Sequence, residues 1–110
     1  NSVYCASKFA VNGFTQALSK ELGKLNIRVN ALCPVYVDTP GLSKALNSIN
    51  SPSGVKNKKK YLKKFAYNNS AMLRLPLANE VADSCLYLSS DKSSAITGQC
   101  INVDCGVLPG

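Results

Sequence analysis

A tyrosine and a lysine stand four residues apart at the start of this chain, in Tyr4-Cys5-Ala6-Ser7-Lys8. Small residues separate them, and a helix-like apolar pattern runs on from them. On a helix, positions i and i+4 share one face, so the lysine ammonium would lie near the phenol and favour its ionised form. A free phenol, with a pKa near ~10, is a poor proton-transfer group at neutral pH. Each unit by which a neighbouring cation lowers that value reflects ~1.4 kcal/mol of preferential stabilisation of the phenolate. Tyr4 is thereby a candidate general acid/base, and Lys8 the residue that tunes it. The spacing alone equally fits an exposed lysine on a surface helix beside a tyrosine packed at its edge.

Two further stretches narrow the choice. Residues 26–39 read Asn-Ile-Arg-Val-Asn-Ala-Leu-Cys-Pro-Val-Tyr-Val-Asp-Thr, and residues 97–106 read Thr-Gly-Gln-Cys-Ile-Asn-Val-Asp-Cys-Gly. With the Tyr/Lys pair, their order and spacing resemble the C-terminal part of the short-chain dehydrogenase/reductase family, over nearly the whole chain. The resemblance implies an α/β fold, the C-terminal portion of a doubly wound parallel-sheet (Rossmann-like) domain, with residues 1–110 as part of one such domain. It also implies an NAD- or NADP-dependent oxidoreductase that interconverts a secondary alcohol and a carbonyl. Tyr4 would exchange a proton with the substrate oxygen. Lys8 would hold the nicotinamide ribose and lower the Tyr4 pKa. Pro34, Val35 and Val37 would line the nicotinamide, with the Val37 backbone meeting its carboxamide, and Thr39 would bond cofactor oxygens near the pyrophosphate. Residues 40–75 would be the flap over a small-molecule substrate, and the first helix part of a dimer or tetramer interface.

Parts of the family pattern are missing from these residues. A Gly-rich turn that holds the pyrophosphate on a helix N-terminus is not present, because the seven glycines are scattered. The family's catalytic serine lies upstream of the tyrosine, and Ser2 is too close to serve; it is expected near the helix N-terminus, where serine is a favoured cap. The residue that chooses between NAD and NADP belongs to the same absent half. The chain is therefore expected to be a fragment with little activity alone. A non-catalytic or truncated family member, acting as a binding module, is the second reading.

Composition sets outer bounds. The chain has 110 residues, 45% of them hydrophobic, and no apolar run near the ~20 residues that cross a bilayer. Five cysteines, without a CxxC pair and without any histidine, point to reduced thiols in a cytoplasmic protein and to no metal site. The net charge of +7 is local: Lys56, Lys58, Lys59, Lys60, Lys63 and Lys64 carry six of the thirteen positive charges. Such a run reads first as a solvated face and second as a docking patch. Tyr61, Phe65 and Tyr67, at near-helical spacing, read as a packing face, so no nucleic-acid partner is expected.

The elements that must position these residues follow from periodicity. Val3, Ala6, Ala10, Val11, Phe14, Leu18, Leu22 and Leu25 recur every three or four residues, predicting one long amphipathic helix closed near residues 23–26. Its other side carries Ser7, Gly13 and Ala17. Residues 27–33 read as a buried parallel strand stopped by Pro34. Residues 43–53 read as a mobile connection, 55–69 as a helix, and 78–90 as a helix with Val81, Ala82, Cys85, Leu86 and Leu88 on its apolar side. Residues 99–103 form the last expected strand. Three positions depart from the family pattern. Val35 and Cys105 stand where glycine is usual, and Pro76-Leu77 stands where a capping Ser or Thr would open the last helix.

Overall fold

The computed structural model describes residues 2–47 and 57–109. The chain divides into two compact units, Asn1–Cys33 with Asp83–Ile101, and Pro34–Ala82 with Asn102–Gly110. In order the elements are α1 (Ser2–Leu22), β1 (Ala31–Pro34), α2 (Pro40–Leu46), α3 (Lys58–Asn69), α4 (Ala78–Ser89) and β2 (Cys100–Val103), with short 3-10 turns at Gly23–Leu25 and Asp91–Ser93. Helices and a partial parallel sheet make this an α/β fold of Rossmann type.

In the first unit, α1 ends where expected. Asn26 takes the left-handed conformation, φ 59°, and donates to the Gly23 carbonyl, while Ile27 N–H reaches back to Leu22. Asparagine tolerates this conformation better than a branched residue. The buried stripe of the helix is not the expected one, although Leu18 and Leu22 are half-buried. Thr15 and Ser19 are its buried residues, whereas Val3, Phe9, Val11 and Phe14 are exposed, Val3 by 83% and Phe14 by 64%. Of the two hydroxyls, that of Ser19 goes inward at little cost because its Oγ donates to the Gln16 carbonyl of its own helix at 2.8 Å. Their small size lets the backbone come close. A Cβ on Gly98, φ 72°, would lie 2.6 Å from Ser19 Oγ.

Both strands are shorter than the sequence suggests, and side chains account for it. Before β1, Val29 N–H donates to Thr97 Oγ1, and the Asn30 amide donates to the Ile96 carbonyl while accepting from Gln99 N–H. Arg28 donates to the carbonyls of Ile96 and Ser90. Residues 28–30 and Gln99 are thus held largely by side-chain bonds, with backbone bonds from Gly98 N–H to the Val29 carbonyl at 2.7 Å and from Ala31 N–H to the Gln99 carbonyl at 2.8 Å. Pro34 closes β1 rather than preceding a break. A proline is tolerated at a strand end because it lacks only the donor.

In the second unit, residues expected to be irregular form a helix. Thr39 Oγ1 accepts from Leu42 N–H, and Pro40 opens α2 at the first helical position, where its missing donor costs nothing. Ser43 lies in α2, and the rest of the expected connection beyond Asn47 lies outside the described residues, as do Val55 and Lys56. Asn57 caps α3 by accepting from Lys60 N–H. Leu62 and Ala66 are buried on α3, at 8% and 4%. Tyr61 and Phe65 meet the ring of Tyr36, Phe65 edge-on at 4.9 Å. Tyr67, grouped with them by spacing, instead stands 71% exposed.

The last helix opens without a hydroxyl cap, as its sequence implies, but Glu80 replaces one. Its carboxylate accepts from Leu77 N–H at 2.8 Å and from both ends of the Arg74 guanidinium at 2.7 and 2.8 Å. A glutamate three residues into a helix commonly reaches back in this way. Of the expected apolar side of α4, Val81 and Leu88 are half-buried, whereas Ala82, Cys85 and Leu86 are exposed.

Candidate active site

Tyr4 and Lys8 lie in the first two turns of α1, and the structure brings them together. Lys8 Nζ sits 5.5 Å from the centroid of the Tyr4 ring. The tyrosine is 58% exposed, and Ser7 Oγ donates to its carbonyl at 2.7 Å, keeping the small side chain folded against the helix. A phenol and an ammonium on one open face can be reached by a ligand in water without unpacking anything. Cys5 beside them is an exposed free thiol.

The other predicted site residues belong to the second unit: Pro34 ends β1 and is exposed, and Val35, Val37 and Thr39 follow on the extended segment before α2. Val35, Tyr36, Val37 and Thr39 are half-buried. Among the described residues no hydrogen bond engages the Val37 backbone amide or carbonyl, so both are available to a planar carboxamide. The Thr39 hydroxyl accepts from Leu42 N–H at 3.2 Å, and its carbonyl accepts from Ser43 N–H and Ser43 Oγ. The hydroxyl proton stays free to donate. Asp38 is 3.6 Å from the Lys58 ammonium, which also donates to Ser43.

Val35 needs no left-handed backbone. Among the described non-glycine residues, positive φ occurs only at Asn26, Leu73 and Cys105. Valine in the glycine position therefore adds bulk there without backbone strain. Cys105 is the opposite case. It holds φ 56° where glycine would be at ease, followed by Gly106 at 78°. Asp104 fixes this turn, accepting from Gly106 N–H at 2.9 Å and Leu108 N–H at 2.8 Å.

In the second unit the Val37 backbone and the Thr39 hydroxyl offer hydrogen-bonding groups of the kind a carboxamide and cofactor oxygens take, and in the first unit Tyr4 and Lys8 offer a phenol and an ammonium on one open face. Among the described residues no set fits a dinucleotide pyrophosphate in the manner of a Gly-rich turn. Cys33 is not poised as a nucleophile. Cys33 Sγ donates to Asn12 Oδ1 at 3.9 Å, and burial, with the neighbouring Cys100 thiol, pushes the Cys33 thiol up from its ordinary value. Among the described residues no three His, Cys, Asp or Glu gather as a metal site, and no helix is long and apolar enough to cross a membrane.

Tyr36 is the residue that sequence reasoning missed in this segment. Its ring anchors α3 through Tyr61 and Phe65, and the available signal was the i, i+4 spacing of those two aromatics. In the first unit, a cleft of about 580 Å³ lined by Arg28, Asn30, Leu32, Cys85 and Leu88 among others includes neither Tyr4 nor Lys8.

A family model described as enoyl-(acyl carrier protein) reductase matches residues 1–108. The chain is 40% identical over 104 residues to a 3-oxoacyl-[acyl-carrier-protein] reductase of Chlamydia trachomatis, covering 94% of the chain and 37% of that relative. Among solved structures it is similar to the ligand-free aldohexose dehydrogenase of Thermoplasma acidophilum, with a TM-score of 0.80 and 33% identity over 96% of the chain and 40% of that structure. It is also similar to the L-sorbose reductase of Gluconobacter frateurii in complex with NADPH and L-sorbose, with a TM-score of 0.79 and 29% identity over 98% of the chain and 41% of that structure. The chain thus spans about two fifths of the length of the proteins it matches.

Proposed function

The chain belongs to the short-chain dehydrogenase/reductase family, and from that premise we propose that the full-length protein is an NAD- or NADP-dependent oxidoreductase interconverting a secondary alcohol and a carbonyl. The observation that carries the reading is the Tyr4–Lys8 pair, on one open helix face with Lys8 Nζ 5.5 Å from the phenol ring. When bound, the nicotinamide supplies or accepts the hydride at the substrate carbon. Tyr4 Oη donates its proton to the carbonyl oxygen as negative charge develops there, and takes it back in the reverse direction. Lys8 holds the ribose hydroxyls by its ammonium.

Pro34, Val35 and Val37 line the nicotinamide, with the Val37 backbone oriented to its carboxamide, and Thr39 donates to cofactor oxygens. Residues 40–75 serve as the flap over a small-molecule substrate, within the same single domain as the rest of residues 1–110. The exposed Val3, Phe9, Val11 and Phe14 of α1 support its use as a subunit interface in a homodimer or homotetramer. The free thiols fit a cytoplasmic setting. The second reading, a non-catalytic binding module, is favoured only by the Val35 bulk.

The test is carbonyl-dependent oxidation of NADH or NADPH by the full-length protein, followed at the nicotinamide absorbance. Lys8→Ala should raise the cofactor dissociation constant by roughly tenfold or more, as expected when a charged hydrogen bond of ~1.5–3 kcal/mol is lost. Failure of both cofactors to bind the full-length protein would remove the proposal.

A further inference from the structure

α3 carries two chemically opposed faces. The inner one is packed: Leu62 and Ala66 are buried, and Tyr61 and Phe65 meet Tyr36. At about 100° per residue, Lys59, Lys63, Tyr67, Lys60 and Lys64 fall within roughly 140° of arc on the other side, and all five are exposed. None of these four lysines has an acidic partner among the described residues. In this unit Asp38 pairs with Lys58, Glu80 with Arg74, and Asp104 accepts from backbone amides. Like charges at i, i+4 each cost about 0.2–0.5 kcal/mol, and a large phenol is left in water beside them. Nothing within the described chain offsets either term.

We propose that this outer face of α3 docks an acidic amphipathic helix of a partner protein. The pairs Lys59–Lys63 and Lys60–Lys64 repeat at about 5–6 Å, the same interval at which a facing helix presents carboxylates at i, i+4. Tyr67 extends the Lys59–Lys63 row by one turn and supplies an aromatic anchor at its end, the residue type that dominates interface energetics when it becomes covered. The occupant is therefore a helix with two rows of Glu or Asp and an apolar residue one turn beyond them. A small anionic substrate does not fit, because the lysines lie opposite the side of α3 that packs on Tyr36. Within these 110 residues a second copy offers no such helix either. Its six acidic residues are dispersed, and Glu80, one of the two on α4, is already held by Arg74. Single-stranded nucleic acid takes successive stacking aromatics, whereas this face has one.

Fluorescence anisotropy of the full-length protein tests this with four labelled probes. They are a helical peptide carrying two i, i+4 glutamate pairs and a leucine one turn beyond, the same composition scrambled, an oligouridylate of equal charge, and phosphatidylserine vesicles. The ordered peptide should bind most tightly. K59Q/K60Q/K63Q/K64Q, checked for native helix content by circular dichroism, should weaken it roughly tenfold or more, from four rim pairs of ~0.2–1 kcal/mol each. Tyr67→Ala should weaken it by about fivefold or more without changing the salt dependence. Equal binding of the scrambled peptide, tighter binding of the oligouridylate or vesicles, or unchanged affinity in the folded lysine variant would overturn the proposal.

Discussion

At the residue scale, the chain shows how local chemistry and backbone conformation are separately specified. The Tyr4–Lys8 pair was legible because i and i+4 are neighbours on any helix, whatever the rest of the fold does. Val35 was legible as an intruder, but its effect was not. Only the backbone shows that the position needs no positive φ. Leu73 is the converse, an unremarkable residue in the sequence that the structure places at φ 56° and 61% exposed, at the end of the turn Leu73 N–H makes to the Ser70 carbonyl. The left-handed region costs a non-glycine residue about 1–2 kcal/mol, while glycine adds roughly 0.5–1 kcal/mol of unfolded-state entropy. Leu73→Gly should therefore stabilise the full-length protein by about 0.5–1 kcal/mol, read as a raised urea midpoint. Gly106→Ala should do the reverse, since its Cβ would lie 2.7 Å from the Ala71 Cβ. A lowered midpoint for Leu73→Gly would mean that the leucine side chain supplies packing that outweighs its backbone strain.

At the element scale, α1, β1, α3, α4 and β2 and their order were legible, whereas α2 was not, nor were the orientation and ends of the elements. Hydrophobic periodicity gives α1 its helical character but cannot say which face turns inward. Here Thr15 and Ser19 turn inward, with Ser19 Oγ bonded to the Gln16 carbonyl of its own helix and Gly98 packed close against it. Strand ends were misjudged because Asn30 and Thr97 side chains take over ladder bonds, a choice invisible to β propensity. The start of α4 gives a pH prediction. Hydrogen bonds from Arg74 first, and from Leu77 N–H second, hold the Glu80 carboxyl down to about 2. A carboxyl depressed in the folded state contributes stability that is present above its unfolded value of 4.5 and is lost as pH falls through about 2. The difference in thermal midpoint between the native protein and Glu80→Gln should be constant above that window and shrink steadily across it. A difference that stays constant down to pH 2 would show that Glu80 is not coupled to folding.

At the scale of the whole molecule, two fifths of a relative's length carries the residues proposed for proton transfer and those proposed to line the nicotinamide. The α/β class was legible from motif order, which survives because each motif is short and sits at an element end. The division into two units was not, since α4 and both strands run across its boundaries. Exposed Val3, Phe9, Val11 and Phe14 were hidden from the sequence for the reason given for α1: amphipathicity names an apolar face without naming what covers it. The central claim is that Tyr4 transfers the proton while other groups hold the cofactor. It is tested most directly by Tyr4→Phe in the full-length protein, with kcat measured alongside the NADH and NADPH dissociation constants. The account predicts a loss of kcat of about 10²–10⁴-fold, the usual contribution of a general acid/base, with cofactor affinity essentially unchanged. A Phe variant that retains near-native kcat would contradict it.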